Sequence, residues 1–432
     1  MNRLAEELNE ILKGSVVIET LSEMGKEFYF PKGIVAQAGE AKKHAKRYNA
    51  TVGMAYSNGK PINLGVIRNY IPELEEEEIF SYAPTPGLPE LRRLWASEME
   101  EKNPSLKHKN HSQPLVVPGL TNGIVNAADL FVDSGDIVVI PDMFWGNYKL
   151  IFEVRRGARI VNYPFFNEKG RFNLEGFEAS LRENSEKGKI ITVLNFPNNP
   201  TGYSPSVEEA GRIIRILKEI ASEGTNVVAI TDDAYFGLFY EEETYRESLF
   251  SSLADLSDRI LAIKVDGATK ENLVWGFRIG FITFASKSLG TDQYDALVKK
   301  AMGAIRSSIS NSSRLAQSLL IRAMKSESYK KQKDEAYHVL YERYRKVRSL
   351  LSTAEEELTR KKISPLPFNS GYFMTFKVEG GKAEELRKKL LLERGIGTIS
   401  IGNDFLRVAY SSIDLENLED LYGEIFEAAE NL

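Results

Sequence analysis

The sequence predicts an α/β protein with a large domain, in which helices flank a mostly parallel sheet, and a smaller α+β domain. The chain has 432 residues, too many for one ordinary core, so we expect two domains. Between residues 114 and 290, short β-branched segments alternate with helical segments. After residue 360, strand and helix patterns alternate again over a shorter stretch. These three observations together predict the fold class.

Composition excludes several classes of protein. Hydrophobic residues at 42% and charged residues at 27% are ordinary for a globular protein, and the net charge of −5 favours neither nucleic acid nor a membrane as partner. The chain has no cysteine, which excludes disulfides and thiolate chemistry and fits a cytoplasmic protein. Residues 1–12 predict an amphipathic helix and no signal peptide, and no apolar run approaches the ~18 residues of a membrane span. His108 and His111 lie in a polar, lysine-rich segment, so we expect no metal site.

The pattern before residue 114 is irregular. Residues 62–66 predict a strand that contains Gly65. Residues 82–87 contain two prolines and a glycine and predict a turn. A helix is predicted over residues 88–99, where Pro89 is tolerated because the N–H groups of a first helical turn have no partner within the helix.

The predicted large sheet comes from the alternating region. Its strands are predicted at residues 114–117, 136–140, 158–162, 189–194, 227–230, 260–265 and 281–284. Strands that are apolar along their whole length indicate burial on both faces, and therefore a mostly parallel sheet covered by helices. Ser206 and Glu209 match a capping box that opens a helix ending near Gly224.

The remaining chain predicts long helices and then the small domain. Residues 294–360 predict long, charged helices. Strands are predicted over 370–376 and 405–410, and helices over 382–394 and 415–431. This second group of elements predicts the α+β domain.

Polar and aromatic residues follow the carboxyl ends of the predicted strands, which is where ligands bind in open α/β sheets. The first strand leads into Gly119, Leu120 and Thr121 at a helix N-terminus, whose free N–H groups suit a phosphate. The later strands lead into Trp145, Asn199, Asp232 and Tyr235, and a loop predicted between the strands at 260–265 and 281–284 carries Lys270 and Arg278. We therefore expect a single site at this edge of the sheet.

The chemistry of these residues suits pyridoxal phosphate. A desolvated lysine such as Lys270 becomes a nucleophile towards the cofactor's aldehyde. A carboxylate can hold the proton of the pyridine nitrogen, and an aromatic side chain can lie on the ring. The guanidinium of Arg278, with the N–H groups near Thr121, suits the phosphate.

With these motifs the sequence resembles the class I (fold type I) pyridoxal-phosphate-dependent aminotransferases of the aspartate aminotransferase superfamily. The resemblance extends from Tyr82 to Arg407. Its most specific motifs are Asn-Pro-Thr-Gly at 199–202, Asp-Asp-Ala-Tyr at 232–235, and Lys270 with an arginine eight residues later. The resemblance implies a sheet of the seven-stranded type and a ping-pong transfer of an amino group from an L-amino acid to a 2-oxo acid.

The resemblance also implies how the chain divides and assembles. Residues 1–60 are expected to join the small domain, residues 61–320 to form the large cofactor-binding domain, and residues 321–432 to form the small domain. Tyr82 is expected to reach the phosphate from a partner subunit, which implies a homodimer.

The resemblance implies a role for each residue at the cofactor. Lys270 is expected to form the Schiff base and to shuttle the substrate proton, and Asp232 to pair with the pyridinium nitrogen. Tyr235 and Asn199 are expected to hydrogen-bond the ring oxygen, and Trp145 to stack on the ring. The residues expected around the phosphate are Gly119, Leu120, Thr121, Thr269 and Arg278.

The expected substrate-binding residues are Arg407, Asn199, Gly65 and Arg306. Arg407 is expected to bind the α-carboxylate in bidentate fashion. Arg306 lies in a segment similar to the one that binds the distal carboxylate in aspartate-type enzymes, and it would then favour dicarboxylic substrates. It is equally an ordinary arginine on a helix surface, so aromatic and branched-chain substrates remain open.

The chain departs from the family's pattern next to Lys270. Members usually carry Ser-x-Ser-Lys, whereas this chain has glycine at position 267 and threonine at 269, so we expect one phosphate contact to be lost. Asp266 has no explanation in the sequence. Asp233 is expected to be structural, in contrast to Asp232.

Two other functions use the same residues. A carbon–sulfur β-lyase of this fold would need the same cofactor and the same lysine, and the motifs do not separate it from an aminotransferase. A non-enzymatic regulator that binds the cofactor would be expected to carry a basic DNA-binding module, and residues 1–60 show none.

Overall fold

The structure is a computed structural model. It describes residues 3, 6, 7, 10, 34–51, 53–185, 188–287, 289–360, 362–430 and 432. The helix predicted over residues 1–12 therefore lies almost wholly outside the described residues. Within the described ranges, no helix is long and apolar enough to cross a membrane.

A seven-stranded, mostly parallel sheet organises the larger part of the molecule, as predicted. Its strands are β1 (Leu115–Val117), β2 (Ile137–Pro141), β3 (Arg159–Tyr163), β4 (Lys189–Asn195), β5 (Asn226–Asp232), β6 (Ile260–Asp266) and β7 (Gly280–Ala285). They lie in the order β1-β7-β6-β5-β4-β2-β3, and β7 alone runs antiparallel to its neighbours. The central strands are buried along almost their whole length because helices pack against them.

Helices connect these strands and continue beyond them. They are α1 (Ile34–His44), α2 (Gly65–Asn69), α3 (Glu76–Phe80), α4 (Pro89–Lys102), α5 (Leu120–Phe131), α6 (Leu174–Glu183), α7 (Val207–Ser222), α8 (Leu249–Leu253), α9 (Ala268–Glu271), α10 (Thr291–Ser308), α11 (Arg314–Met324), α12 (Tyr329–Thr353), α13 (Glu355–Arg360), α14 (Ala383–Arg394) and α15 (Leu418–Glu430). A π-helical stretch spans Lys149–Val154. The capping box of α7 is confirmed: the Ser206 and Glu209 side chains each accept a hydrogen bond from the other's backbone N–H.

A four-stranded antiparallel sheet organises the smaller part. Its strands are β8 (Ile363–Pro365), β9 (Met374–Val378), β10 (Ile399–Ile401) and β11 (Phe405–Val408), in the order β8-β9-β11-β10. Helix α1 packs against this region, and residues 48–49 pair with residues 396–397. These contacts agree with an N-terminal contribution to the small domain, and the boundaries near residues 60 and 320 stay predictions.

Three local predictions are wrong. Residues 62–66 form no strand: α2 begins at Gly65, and its apolar side chains pack against α11 and α12 and find no neighbouring strand. The segment that carries Lys270 is not all loop, because α9 spans Ala268–Glu271. Strand β9 begins only at Met374, since the backbone N–H of Ser370 bonds instead to the Gly202 carbonyl at 2.9 Å.

Candidate active site

A cleft lies at the carboxyl ends of β4 and β5 and beside α9. It is lined by Leu120, Thr121, Trp145, Asn195, Asn199, Asp232, Ala234, Tyr235, Thr269, Lys270 and Arg278. Nine of these residues are predicted site residues; Asn195 and Ala234 are the additions. The order of the parallel strands brings together side chains that are far apart in the sequence, as expected for an open α/β sheet.

Asp232 ends β5 and is buried. Its carboxylate accepts a hydrogen bond from the Tyr148 hydroxyl at 2.5 Å and another from the Ala234 N–H at 3.2 Å. Burial raises the pKa of Asp232 to about 6, although the Tyr148 hydrogen bond and the charge of Lys270 both act to lower it. A buried carboxylate with this small set of donors can accept a proton or a further hydrogen bond from a ligand.

Lys270 lies on α9, directly after β6. Its Nζ is 5.0 Å from the centroid of the Tyr235 ring. Burial lowers the pKa of Lys270 to about 8, with Asp232 acting to raise the pKa and Arg278 to lower it. About a tenth of this amine is therefore uncharged at pH 7, far more than for a solvated lysine, and the uncharged form is the nucleophile.

A cradle for an anion forms where α5 begins. Gly119 has φ +83°, and a Cβ atom there would overlap the Arg278 guanidinium, whose Cζ would be only 2.9 Å away. The Thr269 hydroxyl is buried and has no hydrogen-bond partner among the described residues. A helix N-terminus, a guanidinium and an unpaired hydroxyl at one place fit a phosphate group.

Gly267 is required by packing. A Cβ atom at this position would lie 2.7 Å from the Ile279 carbonyl oxygen and 2.8 Å from Gly280 Cα. No side chain fits between β6 and the start of β7 unless this backbone moves. The departure from Ser-x-Ser-Lys therefore has a physical cause in the close approach of two backbones.

Arg407 is buried on β11 without a carboxylate partner among the described residues. Its guanidinium donates to the Asn199 side-chain oxygen at 2.8 Å and to the Thr51 carbonyl at 3.0 Å, and its Nε has no partner in the described structure. Its Cζ lies 4.3 Å from the centre of the Phe373 ring. Burial lowers the pKa of Arg407 to about 10. A buried, uncompensated guanidinium favours an anionic ligand.

A cluster of buried charged residues lies next to the cleft and gives Asp266 a structural role. Lys264 forms ion pairs with Asp233 and, at 3.2 Å, with Asp266, while Trp95 donates to Asp266 at 3.2 Å. Burial alone would lower the pKa of Lys264, but the two carboxylates raise it above its ordinary value. The structural role expected for Asp233 agrees with this ion pair and with the hydrogen bond from Ser248 at 2.6 Å.

Three predicted residues lie outside this cleft. Gly65 begins α2 beside the Gln332 side chain and lines no part of the cleft. Tyr82 is 89% exposed. Arg306 is exposed at the end of α10, where its Nη1 contacts the Ser310 hydroxyl at 2.5 Å. Within a single subunit, none of the three belongs to the site.

Several residues at the site carried no recognised signal in the sequence. Tyr148 belongs to an aromatic cluster after β2, and its spacing from Trp145 could have indicated a role. Thr51 and Gly53 precede every strand of the large sheet and offered no signal. A Cβ atom at Gly53 would stand 3.4 Å from the Tyr235 hydroxyl and 3.2 Å from the Phe373 ring, so this N-terminal segment closes one side of the site.

Comparison with known proteins agrees with this geometry. Residues 54–425 match the family described as aminotransferase class I and II. The chain is 26% identical over 360 residues to an aspartate aminotransferase of Sulfurisphaera tokodaii, covering 80% of this chain and 82% of that protein. It is 28% identical over 346 residues to a probable aspartate/prephenate aminotransferase of Aquifex aeolicus, covering 76% and 79%. The crystal structure of an aminotransferase from Anaerococcus prevotii superposes with a TM-score of 0.80 at 23% identity, covering 93% of this chain and 97% of that one, which confirms the fold.

Proposed function

Because the chain belongs to the class I and II aminotransferase family and is a pyridoxal-phosphate-dependent aminotransferase, we propose that Lys270 is its Schiff-base lysine. The observation that carries this proposal is the pairing of Lys270, whose pKa is lowered to about 8, with the buried Asp232 in one cleft. The cradle at Gly119, with the unpaired Thr269 hydroxyl, fits the cofactor's phosphate. The carbon–sulfur β-lyase alternative is not favoured.

The cofactor, when bound, supplies an electron sink that stabilises negative charge at the substrate Cα. The chain's own residues supply binding and proton transfer. Asp232, held by Tyr148, would accept a hydrogen bond from the protonated pyridine nitrogen, and Tyr235 and Asn199 would donate to the ring oxygen. The ε-amine of Lys270, once free, takes the proton from the substrate Cα as a general base.

Arg407 would bind the α-carboxylate of the amino acid. Its guanidinium is already held by Asn199 and by the Thr51 carbonyl, so the ligand meets a preorganised donor. When Arg407 holds the carboxylate in one position, the orientation of Cα is set, and this determines which of its bonds points towards the Lys270 amine. This arrangement serves the amino acid and the 2-oxo acid of both half-reactions alike.

We further propose a homodimer whose substrates include dicarboxylic amino acids. Phe80 and Tyr82 are 81% and 89% exposed, which is unusual for aromatic side chains unless another surface covers them. Arg306 is exposed on α10 and free to reach a partner's cleft. Both relatives described above are named for aspartate, which supports a dicarboxylic substrate. A cytoplasmic location stays a prediction from composition.

The test is an absorbance titration of the purified protein with pyridoxal phosphate and then with single amino acids. Loss of the cofactor's visible band with stoichiometric 2-oxo acid, restored by a second 2-oxo acid, is the expected result for an aminotransferase. Aspartate and glutamate should bleach the band at lower concentration than leucine or phenylalanine. Catalytic ammonia release, with the band persisting, would contradict the transamination reaction.

A further inference from the structure

A second cavity, of about 440 Å³, shares only Lys270 with the active-site cleft. We call it the α12 cavity because the first half of α12 forms one wall, opposite residues 236–239. Most of its lining is apolar and includes Phe236, Leu238 and Tyr337. Its volume falls within the roughly 300–1,000 Å³ of small-molecule sites.

A quartet of charges joins this cavity to Lys270. Glu98 and Lys102 on α4, Glu271 on α9 and Lys333 on α12 form it. Each lysine ammonium contacts both carboxylates: Lys333 lies 2.8 Å from Glu98 and 2.9 Å from Glu271, and Lys102 pairs with the same two. Because Glu271 directly follows Lys270, an anionic ligand that draws either ammonium away from Glu271 also changes the forces on α9.

Arg246 brings positive charge to the cavity. It has no carboxylate partner among the described residues, and its guanidinium reaches only the Glu241 carbonyl, at 3.4 Å. The Glu241 side chain is held by the Tyr344 hydroxyl. Asp334, an acidic residue of the lining, lies 3.5 Å from the His338 ring. The cavity thus combines an apolar wall with an exposed guanidinium at its edge that has no carboxylate partner among the described residues.

We propose that the α12 cavity is a regulatory site for a small organic anion with an apolar body, of the aryl-carboxylate class, whose binding alters transamination through Glu271 and Lys270. The planar guanidinium of Arg246 suits a carboxylate, and Phe236, Leu238 and Tyr337 suit an aromatic ring. The charges of Lys102 and Lys333 are balanced by Glu98 and Glu271, so the guanidinium of Arg246 is the charge that favours an anion over a cation. The regulatory effect rests on the proposed role of Lys270, whereas binding does not.

The binding test is a ¹⁹F NMR titration of the holoenzyme with 3-(4-fluorophenyl)propionate. The active-site Arg407 also attracts carboxylates, so the titration is repeated in Arg407→Gln. We expect one saturable binding site to persist in Arg407→Gln. In the double variant that also carries Arg246→Gln, the affinity of this site for the probe should fall at least tenfold. Arg246→Lys should restore part of the affinity, and Arg215→Gln, an exposed arginine of α7, should change nothing. Ala336→Phe should block the cavity without altering its charge.

Binding that disappears with Arg407→Gln, or that survives both Arg246→Gln and Ala336→Phe, overturns the proposal. The regulatory effect is tested by the kcat/KM for transamination with and without the probe. Because the probe can also compete at Arg407, the two proteins are compared: we expect the probe to change kcat/KM at least twofold more in the wild type than in Arg246→Gln, whose basal activity should equal that of the wild type. A bound probe that changes kcat/KM equally in the two proteins, or in neither, overturns the regulatory effect. A Lys270→Ala variant that still transaminates would instead refute the proposed function and leave the binding result standing.

Discussion

The Tyr148 hydroxyl lies 2.5 Å from the Asp232 carboxylate, and both side chains are buried at the base of the cleft. Burial opposes the charged form of Asp232, and the hydrogen bond from Tyr148 favours it. Tyr148 therefore helps to keep this carboxylate ionised, the state in which it can accept a hydrogen bond from a protonated pyridine nitrogen. Lys270 adds a positive charge that acts in the same direction.

We expect Tyr148→Phe to raise the pKa of Asp232 above about 6, because it removes a hydrogen bond to the charged form. The acid limb of the pH–kcat/KM profile should then move to higher pH. A hydrogen bond to a charged group contributes ~1.5–3 kcal/mol, so kcat/KM at pH 7 should fall by about ten- to a hundredfold. The matched control is Tyr203→Phe, which removes a buried hydroxyl 2.9 Å from Glu209, away from the cleft. Equal losses in both variants would return Tyr148 to a purely structural role.

Lys270→Ala should abolish transamination and covalent binding of pyridoxal phosphate, because no other amine among the described residues lines the cleft. Borohydride reduction followed by peptide mapping should label Lys270 in the wild type and nothing in the variant. Lys218→Ala, at an exposed position of α7, serves as the control and should keep full activity. A variant that still turned over would remove Lys270 from the mechanism.

The pH dependence of cofactor capture follows from the pKa of Lys270. The neutral amine attacks the aldehyde, and burial lowers the pKa of Lys270 from 10.5 to about 8. The rate at which the apoenzyme captures pyridoxal phosphate should therefore rise with pH and level off above about 8. Stopped-flow absorbance measures this rate. A rate that kept rising towards pH 10.5 would mean that the Lys270 amine behaves as if it were solvated.

Gly119→Ala should weaken the binding of pyridoxal phosphate at least tenfold. The new methyl group would displace the Arg278 guanidinium, and φ +83° strains any residue with a Cβ atom. Equilibrium dialysis of the cofactor measures the effect. Gly211→Ala on α7 is the matched control, because no atom lies within 4 Å of its Cβ position. The control should bind the cofactor normally and unfold at a slightly higher temperature.

Arg306→Ala should raise KM for aspartate and glutamate more than for leucine or phenylalanine. The physical reason is the loss of a guanidinium that would pair with the distal carboxylate across the proposed dimer. The comparison of KM values across these four substrates is the measurement. Equal changes for all four would identify Arg306 as a surface residue of α10.

Much of the fold and most of the site could be predicted because their signals are local. The alternation of strand and helix patterns predicted the large sheet. The positions that follow the predicted strand ends identified Asp232, Lys270 and Arg278. Predictions failed where packing overrode local pattern. Residues 62–66 look like a strand, but their apolar side chains meet helices α11 and α12, so the chain turns into α2.

The sequence by itself determined the fold class and most of the residues that line the cleft, since periodicity and short motifs are properties of neighbouring residues. Only the tertiary structure decided how those residues are held. Arg407 is bonded to the Thr51 carbonyl, 356 positions away, and Tyr148 to Asp232, 84 positions away. Lys264 pairs with Asp233 across two strands. Such contacts depend on which strands and domains lie side by side in the folded protein, and a local sequence pattern does not contain that information.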